Sequence, residues 1–104
     1  MQLTILERVL LLNVLPVEGN IITLRIIQDL RRNLAPTEEE IKKVNLRQEG
    51  TQIRWDDEKY TADVPVGEKA TDTVVAALVK MNSDNKLTEQ FIPLYERFVE
   101  KKEV

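Results

Sequence analysis

Apolar residues recur at helical spacing over the first and last thirds of the chain and alternate with polar ones in the middle, a pattern that predicts helices flanking a small sheet. Thr4-Ile-Leu-Glu7 has the spacing of a capping box, in which hydroxyl and carboxylate each satisfy an orphan N–H at a helix start, and a helix is predicted from there to about Asn13. Its apolar positions Ile5, Leu6, Val9, Leu10, Leu11 and Leu12 exceed a single stripe, so it should meet neighbours on two sides. Either it is the central helix of the fold, or Leu6, Val9, Leu10 and Leu12 contribute to an oligomer interface. Pro16, Gly19 and Asn20 mark a turn, and Asn20 is a suitable N-cap for a second helix to about Leu34. That helix aligns Ile22, Ile26, Leu30 and Leu34, widened by Leu24 and Ile27, with Arg25, Arg31 and Arg32 outside the line. Pro36 stops it. Thr37-Glu-Glu-Glu40 opens a short third helix with another capping box, its three acids suiting the positive end of the macrodipole.

The segment Val44 to Trp55 reads as a β-hairpin about Glu49-Gly50. A two-residue turn there would place Gln48 opposite Thr51, Leu46 opposite Ile53 and Val44 opposite Trp55, gathering the apolar residues on one side with Trp55 as a core anchor. The other side would carry Asn45, Arg47, Gln52 and Arg54, the two arginines diagonal to each other. Ala62, Val64 and Val66 alternate similarly and offer a third strand, confined to an edge by Pro65. A fourth helix from Gly67 to about Met81 carries Ala70, Val74, Ala77, Leu78 and Met81. A fifth, capped by Thr88, carries Phe91, Leu94, Tyr95, Phe98 and Val99. The expected fold is α+β and mostly helical, with about five helices and a small antiparallel hairpin or three-stranded sheet, in one domain over residues 1–104. Three helices followed by a hairpin is also the order of a winged-helix domain.

Composition narrows the chemistry. No histidine and no cysteine occurs in the 104 residues. The common proton shuttle near neutral pH, the thiolate nucleophile and the usual zinc, haem and iron–sulfur ligands are therefore missing. A net charge of -3 argues against general attraction to nucleic acid or anionic membrane. Leu3 to Leu15 is interrupted by Glu7 and Arg8, lacks a basic lead and a small-residue cleavage site, and is too short to span a bilayer. A cytoplasmic protein is expected.

The cations with a plausible chemical use are Arg25 and Arg31 on the second helix and Arg47 and Arg54 on the hairpin. Guanidinium groups bind phosphate as planar forks, so convergence of these with Asn45 and Gln52 would make an anion site for a nucleotide or phosphorylated metabolite. The plainer reading is solvated surface charge. A winged-helix reading would place Thr-Glu-Glu-Glu-Ile-Lys-Lys in the major groove, where phosphate contact needs cations, so nucleic acid is an unlikely partner. Glu38-Glu39-Glu40, Asp56-Asp57-Glu58 and Asp63 with Glu68 lack the order of an EF-hand loop, and neither a phosphate-cradling glycine loop nor a nucleophile elbow is present. No catalytic residue, cofactor or metal is expected.

The strings Leu-Glu-Arg-Val-Leu-Leu-Leu, Leu-Pro-Val-Glu-Gly-Asn, Arg-Gln-Glu-Gly-Thr-Gln-Ile-Arg-Trp and Val-Gly-Glu-Lys-Ala-Thr-Asp together resemble small bacteriophage and prophage proteins over nearly the whole chain. The resemblance implies an accessory protein in an infected bacterium and transfers no functional residue. The expectation is a non-enzymatic binding protein that self-associates. It would act in counter-defence by sequestering a nucleotide signal, with inhibition of a host protein and winged-helix regulation as alternatives.

Overall fold

The computed structural model describes residues 1–100. Strand β1 (Gln2–Thr4) leads into helix α1 (Ile5–Val14), followed by α2 (Ile21–Leu34), α3 (Glu38–Val44) and the hairpin β2 (Arg47–Glu49) and β3 (Gln52–Arg54). Strand β4 (Thr61–Asp63), α4 (Glu68–Ser83) and a last helical stretch complete the order. That stretch passes from a 3₁₀ turn (Glu89–Phe91) through α5 (Ile92–Tyr95) into a π-helical turn (Glu96–Glu100). The result is the α+β, mostly helical fold that the periodicity predicts, with five α-helices among the described residues.

The sheet is divided in a way the sequence does not announce. No three-stranded sheet forms among the described residues: β4 leaves the hairpin alone and pairs antiparallel with β1, with Gln2 opposite Asp63, Leu3 opposite Ala62 and Thr4 opposite Thr61. The apolar reason is burial. Leu3 and Val64 both enter the core, which the hairpin strands do not reach.

The hairpin register also differs from expectation, by two residues. Arg47 pairs with Arg54, Gln48 with Ile53 and Glu49 with Gln52, and Gly50-Thr51 forms the loop. Helix α3 accounts for the shift, because it continues through Val44 and takes that side chain into the core as a helical residue. Asn45 then adopts the left-handed conformation at φ 52°, and the Leu46 N–H donates to the Ile41 carbonyl at 2.9 Å, closing a Schellman-type helix end. Only from Arg47 onward is the chain free to pair. Gly50, at φ 64°, then takes the first loop position, where a tight hairpin turn favours glycine. Trp55 is accordingly half-buried and lies outside the main core rather than anchoring it.

The capping boxes predicted at Thr4/Glu7 and Thr37/Glu40 are both formed. Helix α1 is central, packing against β1, α2 and α4. Its Ile5, Leu10 and Leu11 are buried, and the core continues through Leu30 and Leu34 of α2, Val74 and Leu78 of α4, and Leu94 and Phe98 near the end. Thr88 forms no side-chain cap. The final helix begins as a 3₁₀ turn because Pro93 has no N–H to donate to Glu89, while the Ile92 N–H reaches the Glu89 carbonyl instead.

Candidate functional site

The four arginines weighed as an anion site fall into two groups with different surroundings. Arg47 and Arg54 pair directly across the hairpin, not diagonally, and share that face with Glu49 and Gln52. Arg47 donates from Nη1 to Asp56 Oδ1 at 3.0 Å and from Nε to Glu49 Oε1 at 3.4 Å. Arg54 Nε lies 3.0 Å from Glu49 Oε2, and its Nη2 donates to Gln52 Oε1 at 2.9 Å. Asn45 Nδ2 donates to the other Asp56 oxygen at 3.0 Å. Hydrogen bonds from Asn45 and then Arg47 hold the Asp56 carboxyl below its ordinary value, and the same Asp56 contact raises Arg47. On this face the guanidinium forks, Asn45 and Gln52 are occupied by one another and by carboxylates.

Arg25 and Arg31 differ. Among the described residues neither guanidinium group has a hydrogen-bond or ion-pair partner, and both side chains line an open groove of about 380 Å³ beside α2. Its apolar floor and rim come from Pro16, Val17, Ile21, Leu24 and Ile27. Asn20 caps α2 through the Thr23 N–H at 2.8 Å, which starts the helix at Ile21 and fixes which residues face outward. Ile27, Leu30 and Leu34 then form the buried line, leaving Ile21 at 60% and Ile22 at 66% exposure, with Val17 at 82% in the preceding turn. The expected line through Ile22 is thereby corrected: Ile27 is buried in the core and Ile22 faces solvent.

The proposed interface residues of α1 lie closer to the interior. Leu10 belongs to the core, Leu6 and Leu12 are half-buried against it, and Val9 is half-buried. The large apolar surface left in water near α1 is instead the Val17–Ile22 corner. Its signal in the sequence is the adjacent pair Ile21-Ile22 at a helix start, since neighbours about 100° apart are hard to bury against one narrow face.

Arg8, invisible as a structural element in the sequence, is buried at 2% exposure. It donates to Glu40 through two bonds and to the carbonyls of Leu34 and Ala35 at 2.9 and 3.0 Å, closing the end of α2. The Tyr60 hydroxyl donates to Glu40 Oε2 at 2.9 Å, and Lys43 Nζ lies 5.1 Å from the centre of the same ring. This network is fully satisfied and structural in character; among the described residues no buried side-chain polar atom lacks a partner. On α3, Glu38 and Glu39 are exposed together with Lys42 and Lys43. No helix among the described residues is long and apolar enough to cross a membrane, and no three of their carboxylates gather into a cation site. No protein-family model, curated protein or solved structure matches the chain.

Proposed function

We propose that this is a non-enzymatic binding protein that docks an acidic, partly apolar protein segment in the groove beside α2. One observation carries the reading: Val17 and Ile21 stand exposed in one groove with Arg25 and Arg31, two guanidinium groups with no partner among the described residues. Apolar side chains flanked by unpaired arginines are what an amphipathic acidic helix or strap needs, since arginine is favoured at interfaces and its charge steers the approach.

Docking of a protein segment therefore ranks above sequestration of a nucleotide. A nucleotide site would draw on convergent forks, and Arg47 and Arg54 are engaged with Glu49 and Asp56 on another face. The resemblance to phage proteins supplies the setting: an accessory protein acting in the cytoplasm of an infected bacterium.

The test is a titration of the isotope-labelled chain, followed by amide spectra, with an acidic amphipathic helical peptide and separately with cyclic and linear nucleotides. Saturable shifts centred on Ile21, Arg25 and Arg31 with the peptide, abolished by Arg25→Glu/Arg31→Glu, are expected. Saturable shifts at the hairpin with a nucleotide, or no response to the peptide at millimolar concentration, would remove the proposal.

A further inference from the structure

At the opposite end of the sequence stands a surface with the complementary chemistry. A second depression, of about 320 Å³, is lined by Leu87, Thr88, Ile92, Tyr95, Glu96 and Glu100. Ile92 is 53% exposed, held outward because Phe91 and Leu94 on either side of it are taken into the core. Glu89, Ile92, Glu96 and Glu100 follow at intervals of three, four and four residues, which sets them along one ridge of the helical stretch. Among the described residues, none of these three side-chain carboxylates has an ion-pair or hydrogen-bond partner. The chain thus carries an apolar groove rimmed by unpaired arginines and an apolar ridge rimmed by unpaired glutamates.

We infer that the occupant of the Arg25/Arg31 groove is the Glu89–Glu100 ridge of a second copy of this chain, an inference that rests on the docking reading above and names its partner. Ile92 would enter the apolar floor beside Ile21, and Glu96 and Glu100 would meet Arg25 and Arg31. Symmetry discriminates among the ways two copies can meet. A contact of groove on groove would set arginines against arginines, and ridge on ridge would set glutamates against glutamates, each disfavoured by like charge. Contacts that seat a groove on a ridge pair unlike charges. They form either reciprocally about a two-fold axis, which closes a dimer, or head to tail, which closes a ring or extends with concentration.

The experiment uses light scattering and sedimentation on the full chain and two charge-reversed forms. One form is Arg25→Glu/Arg31→Glu, in which groove and ridge are both acidic; the other is Glu96→Lys/Glu100→Lys, in which both are basic. The wild-type molar mass is expected to rise with protein concentration and fall with added salt. Each reversed form alone should associate at least tenfold more weakly, and an equimolar mixture should reassociate, because every groove then finds a ridge of opposite sign. Recovery on mixing also requires both forms to be folded. A wild-type chain that stays monomeric to millimolar concentration overturns the inference, as does association unaffected by either reversal or a mixture that stays monomeric. Monomeric behaviour combined with saturable peptide binding at Arg25 and Arg31 would remove only the second copy as occupant; loss of peptide binding removes the docking reading itself.

Discussion

Arg8 of α1 meets Glu40 of α3 as a two-pronged pair, Nη1 to Oε2 at 2.8 Å and Nη2 to Oε1 at 3.0 Å, although 32 residues separate them. The same guanidinium takes the Leu34 and Ala35 carbonyls at the end of α2, and the same carboxylate accepts from the Thr37 N–H that begins α3. One ion pair thus joins three helices at the corner where Pro36 breaks the chain, and it satisfies backbone groups on both sides of that break. Arg8→Met is expected to destabilise the fold by about 3–5 kcal/mol, because it leaves a mostly buried carboxylate and two carbonyls without their donor. Arg8→Lys should recover only part, since an ammonium lacks the planar fork that reaches Glu40 and the carbonyls together. Urea unfolding of the two variants checks both statements.

Acid should act on the fold through this carboxylate. The hydrogen bond from Arg8, with help from Thr37 and Tyr60 and against the cost of burial, lowers Glu40 from 4.5 to about 2. Above about pH 4.5 the group is ionised in both folded and unfolded chains and its contribution is whole. As pH falls from there towards 2 the unfolded chain takes up a proton that the folded chain refuses, and stability on the order of 3 kcal/mol is lost. The expected result is a urea midpoint that falls over this window in the wild type. In Glu40→Gln it starts lower at neutral pH and falls less, since that carboxylate no longer titrates.

Tyr60 separates the hydroxyl from the ring. Tyr60→Phe removes the donor to Glu40 Oε2 and leaves the aromatic face for Lys43, so a small loss of stability is expected at neutral pH. The bond to Glu40 raises the Tyr60 pKa, so its stabilisation is present below the unfolded tyrosine value near 10 and fades as pH rises through the folded one. Denaturation of the wild type and the phenylalanine variant should therefore draw together as pH rises above the unfolded tyrosine value.

How far the sequence foretells this corner follows from the range of the interactions. The capping boxes at Thr4 and Thr37 are legible because hydroxyl and carboxylate are three residues apart and the helix geometry does the rest. The α4 residues Ala70, Val74 and Leu78 are legible for the same local reason. Arg8 is not, since its partners lie 26 to 32 residues away and a charge inside an apolar run looks like an interruption. The face of the hairpin carrying Arg47, Gln52 and Arg54 follows from alternation, and a slip of two residues preserves it, whereas the register depends on where α3 ends. The pairing of β1 with β4 joins residues some sixty positions apart through three-residue strands, too short for alternation to declare them. For the groove, Arg25 and Arg31 are identifiable as candidates, but their freedom from partners and the exposure of Val17 and Ile21 arise only from packing.

The hairpin arginines should matter little to stability despite their several contacts. Arg47 and Arg54 are substantially exposed, as are Glu49 and Asp56, and pairs of this kind contribute little once solvent and side-chain freedom are counted. Arg47→Gln/Arg54→Gln is expected to leave the urea midpoint and the helical far-ultraviolet spectrum essentially unchanged. A larger loss would show that the hairpin is coupled to the core more tightly than its exposure implies.

The far end of the chain secures the near end through a second arginine. Arg97 donates from Nη1 to Glu7 Oε2 at 3.1 Å and from Nη2 to the Gln2 carbonyl at 2.8 Å, while Glu7 Oε1 accepts from the Thr4 N–H in its capping box. A two-stranded sheet three residues long is marginal in isolation, so β1 and β4 depend on Leu3 and Val64 in the core and on what holds the start of α1. Arg97→Gln is expected to lower global stability by about 1–2 kcal/mol, given two hydrogen bonds to a charged donor at a half-buried site. Its effect on hydrogen exchange should be uneven. Amides of α2 and α4, which exchange through global unfolding, and amides of the β1–β4 pair, whose opening breaks the contact to Gln2, should lose protection by the global value, whereas amides of the β2–β3 hairpin, which can open without disturbing that contact, should change little. A loss in the β1–β4 pair smaller than the global value would mean that these strands open with the Arg97 contacts intact.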